Sequence, residues 1–182
     1  MSADCPKTAG HRGDLAAQHQ PRREMRMLDG IGRPAPGPRP RRIPVEDLSV
    51  YEARGGHTLR RHVDTKPGDE MRRILREGVA AAGRFVSRAT AQRCVDVAVT
   101  RRSADIAAWL AGRDKRAPYT FVEDMGEIVG HVLTYAEVSR GVVVPTQVTA
   151  VRLVLRRNDE LPGGFTLVTA YPTRTPLRDK RH

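Results

Sequence analysis

Apolar residues recur at three- and four-residue spacing between Pro67 and Gly112, then alternate with polar ones from Tyr119 to Thr173. The first pattern predicts helices and the second predicts strands. Pro67-Gly68-Asp69 forms a turn and an N-cap, and Met71, Ile74, Leu75 and Val79 then share one face of a helix that Gly83 ends. Ser87 caps a second helix with Ala91, Cys94, Val95 and Ala98 inward. Ser103 caps a third, which carries Trp109 and stops before Gly112. The lone tryptophan is expected to anchor the helices on a sheet. Strands are expected at Tyr119–Glu123, Glu127–Tyr135, Gln147–Arg157 and Phe165–Thr173, all rich in valine, threonine and aromatics. The Asn158–Gly164 connection is too short for a parallel crossover, so it closes a hairpin. Helices followed by strands give an α+β class, with N-terminal helices packed on a C-terminal antiparallel sheet. No internal repeat is visible.

Composition bounds this picture. A chain of 182 residues suffices for one domain with a real core. Residues 1–45 are expected to be a disordered, basic, proline-rich lead: the run Pro34-Ala35-Pro36-Gly37-Pro38-Arg39-Pro40 can supply neither ladder hydrogen bonds nor apolar surface. The folded domain is then placed at 46–175, with a short basic tail at 176–182. Cys5 and Cys94, the two cysteines, form no C-x-x-C pair and imply neither a disulfide framework nor a zinc site. Cys94 reads as a small core residue. No run reaches the roughly 18 apolar residues of a membrane span, so no membrane insertion is expected. The N-terminus also lacks the apolar core of a signal peptide, so export would need another route. The net charge of +11 and pI near 10.7 favour an anionic partner, although arginine-rich composition can also reflect codon usage.

Chemistry concentrates at Gly55-Gly56-His57-Thr58-Leu59-Arg60-Arg61-His62-Val63, which holds two of the six histidines. Imidazole exchanges protons near neutrality without special tuning. If this segment is helical, residues five apart diverge by about 140 degrees, so the two rings would not share a face. His57 is therefore read either as a substrate contact or as structural support. On the last strand Thr169 and Tyr171 point the same way, and two such hydroxyls can bind a phosphate or simply belong to a strand. His131 is expected to be a satisfied sheet residue. His11, His19 and His182 lie in the expected mobile ends.

Several of these residues, in order and at compatible spacing, match a known pattern. They are Gly55-Gly56-His57-Thr58-Leu59 leading to His62-Val63, Phe85 with Thr90-Ala91, and Ile106-Ala107-Ala108-Trp109-Leu110. Gly130, Val154-Leu155-Arg156-Arg157, Gly163-Gly164-Phe165 and Thr169-Ala170-Tyr171-Pro172 follow. From about Tyr51 to Pro172 the chain resembles the bacterial ribonuclease-A-like toxin domain found at the C-termini of contact-dependent growth inhibition proteins and other polymorphic toxins. The resemblance implies a ribonuclease-A-like α+β fold without disulfides and a metal-independent endoribonuclease that uses no cofactor. Cleavage would proceed by attack of the ribose 2′-hydroxyl on the adjacent phosphorus, leaving a 2′,3′-cyclic phosphate. It further implies a monomeric toxin of interbacterial competition, neutralised by a cognate immunity protein expected to be acidic. Such a toxin is secreted, or delivered into the target-cell cytoplasm, as the C-terminal part of a larger protein.

In that family the second histidine of the Gly-Gly-His segment is catalytic, and the matching position is His62. A family arginine on the following helix falls on Arg73, with Arg72 and Arg76 within a slip of it. The family's threonine and tyrosine match Thr169 and Tyr171. His57 and Arg72 are assigned to substrate binding, and no residue to a metal. On the helical wheel Arg73 lies away from the Met71-Ile74-Leu75 face, as a cleft-facing or a solvated residue would. With one histidine carried over, the division of acid and base stays open. Two other readings compete. One is a non-catalytic basic nucleic-acid-binding protein, against which speak the few stacking platforms: four tyrosines, three phenylalanines and one tryptophan. The other is an inactive toxin-derived domain kept for protein interaction.

Overall fold

Why the chain turns back on itself so early is set by Gly78, whose left-handed backbone (φ 66°) stops the helix that began at Asp69. The computed structural model describes residues 42–174. All of them belong to one compact unit; the expected lead up to residue 41, residue 175 and the expected tail at 176–182 lie outside the described residues. Ile43 and Val45 already pack against the core.

The elements are α1 (Leu48–Ala53), α2 (Thr58–His62), α3 (Asp69–Glu77), β1 (Ala81–Phe85), α4 (Arg88–Arg101) and α5 (Ser103–Ala111). Then come β2 (Tyr119–Asp124), β3 (Gly130–Thr134), α6 (Tyr135–Val138), β4 (Thr146–Val148), β5 (Ala150–Arg157) and β6 (Phe165–Thr173). The class is α+β and every strand pair is antiparallel, as the sequence predicts. The strands divide over two three-stranded sheets, ordered β1-β3-β4 and β2-β5-β6. The main core lies on one face of β2-β5-β6, where Leu153, Leu155, Phe165 and Leu167 meet Val95, Val99 and Ile106 of α4 and α5. Ser87 caps α4 by accepting from Thr90 N. Cys94 is buried there, and burial pushes its thiol up to about 11, which leaves it unreactive.

Four expectations need correction. The helix expected to reach Gly83 ends at Glu77, and Ala81–Phe85 is a strand. Its alanines favour a helix locally, but pairing with β3 overrides that preference. Gly83 is required here because a Cβ at that position would sit 2.6 Å from the Pro172 carbonyl oxygen on β6. The expected Glu127–Tyr135 strand starts later, at Gly130, after a turn through Gly126. The single strand expected over Gln147–Arg157 is two, and the break at Thr149 moves the chain from one sheet to the other. Finally, Arg102, not Ser103, occupies the N-cap of α5, and Ser103 is buried as its first residue.

Trp109 packs against the edge of the core and stacks on Tyr119, with ring centroids 5.6 Å apart. The Arg157 guanidinium lies over the Trp109 ring, 5.2 Å from its centroid, and donates to the carbonyls of Trp109, Leu110 and Gly112. It thus closes the C-terminus of α5, where carbonyls lack partners within the helix. The apolar stripe of α3 is narrower than the sequence implied: Ile74 is 1% exposed and Leu75 is 63% exposed. Ile74→Ala should therefore cost about 3 kcal/mol and Leu75→Ala less than about 0.5 kcal/mol. Urea denaturation of the two variants checks this contrast.

Candidate active site

β6 is an edge strand of its sheet, so one side of its backbone is free to bind another segment. The Gly-Gly-His segment takes that place. His57 N donates to Val168 O at 3.0 Å, and Ala170 N donates to Thr58 Oγ1 at 2.8 Å. Gly56 allows the approach, since a Cβ there would lie 2.6 Å from Leu167 O and 2.8 Å from Tyr51 O. Glu52 accepts from Leu59 N and Arg60 N and so covers donors at the start of the short α2. These bonds set His62, at the end of α2, beside Thr169 and Tyr171, which are about a hundred residues away along the chain.

The resulting cavity is about 440 Å³ and is lined by His57, Arg61, His62, Arg73, Ala80, Ala81, Gly83, Arg152, Thr169, Tyr171 and Thr173. His62 is 6% exposed. Its Nδ1 lies 2.8 Å from Gly83 O, an acceptor only, so Nδ1 carries the proton and Nε2 keeps its lone pair. The ring stacks on Tyr171, with centroids 5.2 Å apart. Burial, together with the charges of Arg73 and Arg61 and the neighbouring His57, holds the His62 pKa down to about 4, against the pull of the Gly83 carbonyl. His62 is therefore a neutral imidazole at pH 7, able to accept a proton at Nε2.

Arg73 is mostly buried. It donates to Arg61 O at 3.1 Å, and its Nε, 3.7 Å from Glu77 Oε2, makes no hydrogen bond. Thr169 Oγ1 is likewise buried without a hydrogen-bond partner among the described residues. An unpartnered Thr169 hydroxyl and the Arg73 guanidinium, ion-paired at Nε with Glu77, thus meet at one cavity, and such donors suit an anion. His57 also lines the cavity, 6.4 Å from His62 between ring centroids, and burial followed by Arg61 and Arg60 lowers its pKa. The two rings meet because His57 precedes α2 with a non-helical backbone (φ −145°, ψ 24°), so the helical-wheel separation does not apply.

Of the residues that the sequence singles out, the structure brings together His57, His62, Arg73, Thr169 and Tyr171. Arg72 is not among them; it is exposed and paired with Asp69 at 2.5 Å. Arg76 is exposed and does not line the cavity. His131 sits in β3, opposite Arg84, with a buried Nδ1 that lacks a partner among the described residues, so it is not the satisfied sheet residue expected. Arg61, Arg152 and Thr173 complete the wall and were not anticipated. Among the described residues no group of three or more His, Cys, Asp or Glu side chains converges as a metal-ligand set, and no helix is long and apolar enough to cross a membrane.

The buried imidazole ties stability to pH. The folded pKa of His62, about 4, stands below the usual 6.5, so the unfolded chain binds more protons between these values. This contribution is complete above about pH 6.5 and is lost as pH falls towards 4, up to about 3 kcal/mol. Urea denaturation at pH 7 and pH 4.5 should show the loss. It should shrink in His62→Asn, whose amide can still donate to Gly83 O.

Three comparisons bear on this arrangement. A family model described as the bacterial CdiA-CT RNAse A domain matches residues 56–172. Among solved structures, the chain is similar to a crystal structure of a CdiA-CT/CdiI complex from Y. kristensenii 33638. Identity is 26%, the TM-score is 0.57, and the match covers 65% of this chain and 99% of that one. No curated protein matches the chain.

Proposed function

Because the chain belongs to the bacterial CdiA-CT RNase A domain family, a family of ribonuclease toxin domains, we propose that its cavity cleaves RNA by internal transphosphorylation without a metal ion. The observation that carries this reading is a neutral His62 whose free Nε2 belongs to a cavity walled by Arg61, Arg73 and Arg152. His62 Nε2 takes the proton of the ribose 2′-hydroxyl, whose oxygen attacks phosphorus as the bond to the 5′-oxygen breaks. A 2′,3′-cyclic phosphate and a 5′-hydroxyl result. Arg73 stabilises the charge that gathers on the phosphoryl oxygens, the task a metal would otherwise perform. Thr169 and Tyr171 orient those oxygens; the departing 5′-oxygen takes its proton from the Tyr171 hydroxyl, which is reprotonated from solvent as His62 releases the proton it accepted, and His57 helps to seat the substrate. The arriving phosphodiester also counters the arginines, which favours the imidazolium once the proton has moved.

The biological setting follows the relatives. The Y. kristensenii structure is a complex with CdiI, and the strong positive charge of this chain suits an acidic inhibitor. We take the partner to be a cognate immunity protein and the domain to be delivered, as a monomer, at the end of a larger toxin. DNA, which has no 2′-hydroxyl, should be inert. The test uses a DNA oligonucleotide with one ribonucleotide, incubated with excess EDTA. Scission at that ribose alone, with a 2′,3′-cyclic phosphate end, is the expected product. Loss of cleavage in EDTA, or cleavage in the all-DNA strand, would overturn the mechanism.

A further inference from the structure

Beyond the cavity, one face of β5 stays open. Alternation along this strand sends Val151, Leu153 and Leu155 into the core, where none is exposed. Arg152 and Arg156 point the other way and are exposed. Arg152 stands directly opposite Tyr171 and lines the cavity, and Arg156 follows four residues on, a distance of about 13 Å. Neither guanidinium has a hydrogen-bond or ion-pair partner among the described residues. On the core-facing side of the same sheet the situation is reversed: Glu123 of β2 holds both Arg101 and Arg102. The sheet thus neutralises arginines on one side and leaves those on the other uncompensated. Next to Arg152 on β2 stands Val122, with Thr120 on the same face. Asp124, two residues beyond Val122 on the same face, accepts from Gly126 N.

We propose that this face is a track for single-stranded RNA flanking the scissile bond, with Arg152 and Arg156 binding successive stretches of its phosphate backbone. The inference rests on the ribonuclease reading for its occupant, and on two structural features for its place. One is continuity: Arg152 belongs at once to the cavity wall and to the open face. The other is charge complementarity, since an unpaired guanidinium gains most from a phosphate. Between the two arginines the face carries Val154, with Thr120 and Val122 beside it on β2, so binding along this stretch would depend on backbone charge and not on base identity.

Binding can be measured apart from cleavage. A fluorescent, uncleavable 2′-O-methyl oligoribonucleotide of roughly twelve nucleotides serves as the probe, titrated at several salt concentrations. The proteins are wild type, Arg152→Ala/Arg156→Ala, and Arg42→Ala/Arg140→Ala, the last pair being unpaired arginines outside both β5 and the cavity wall. The β5 double variant should bind about tenfold more weakly at low salt, and the slope of log K against log salt should be shallower by about 1.4. Equal binding by wild type and the β5 variant overturns the track and leaves the face to another partner, such as an acidic protein. Equal weakening in both double variants also overturns it, because the effect would then be net charge alone. Cleavage of the single-ribonucleotide substrate by wild type reports separately on the ribonuclease reading.

Discussion

Replacing His62 with alanine or asparagine should lower the rate of RNA cleavage about a thousandfold, the scale of a lost general base. The asparagine variant is the more telling one. Its amide can replace Nδ1 as donor to Gly83 O, so it keeps the internal bond while removing the Nε2 lone pair. Alanine removes both and leaves a buried carbonyl unpaired, at a cost of about 1–3 kcal/mol. Equal loss of activity in the two variants, with only alanine lowering the melting temperature, would separate chemistry from packing. Because the His62 pKa is held near 4, the base form persists well below neutrality. The acid limb of kcat/KM should accordingly fall near pH 4 in the free enzyme, provided that the fold survives there. An asparagine variant with wild-type turnover would remove His62 from the mechanism.

The second large effect concerns stability. Gly56→Ala should cost about 3 kcal/mol, or about 10 °C in Tm. The added Cβ meets Leu167 O and Tyr51 O at 2.6 and 2.8 Å, and both are backbone atoms that no rotamer change can move. The corner between α1 and α2 must therefore lift from β6. That movement strains the bonds from His57 N to Val168 O and from Ala170 N to Thr58 Oγ1. Activity should fall even at temperatures where the variant stays folded, since His62 drifts from Thr169. Calorimetry with a parallel cleavage assay reads both effects. A variant with unchanged Tm would show that the close approach is not needed.

Much of this organisation is legible in the sequence where the signal is local. Ser87 as a cap, the Asn158–Gly164 hairpin, and the shared face of Thr169 and Tyr171 each depend on a few neighbouring residues. β1 was not legible, because Ala81-Ala82-Gly83 carries a helical composition and becomes a strand only by pairing with β3. Arg152 was missed for a related reason. Its place beside Tyr171 comes from the register between β5 and β6, which no spacing along the chain reveals. The separation of about 140 degrees holds only if the segment is helical from His57 onward, and His57 lies just outside α2. The resemblance named His62 and Arg73, but what leaves the Nε2 lone pair of His62 free is Gly83 O, a partner that belongs to the unforeseen strand.

The docking of the Gly-Gly-His segment on β6 has a consequence for how the protein behaves in a crowded cell. An exposed strand edge is a template on which a second chain can add and start aggregation. Here the edge of a strand that is apolar along its core side is occupied by the segment that carries the histidine. The contacts that assemble the cavity also keep β6 from recruiting copies of itself. Substitutions that loosen the segment should therefore reduce solubility along with activity.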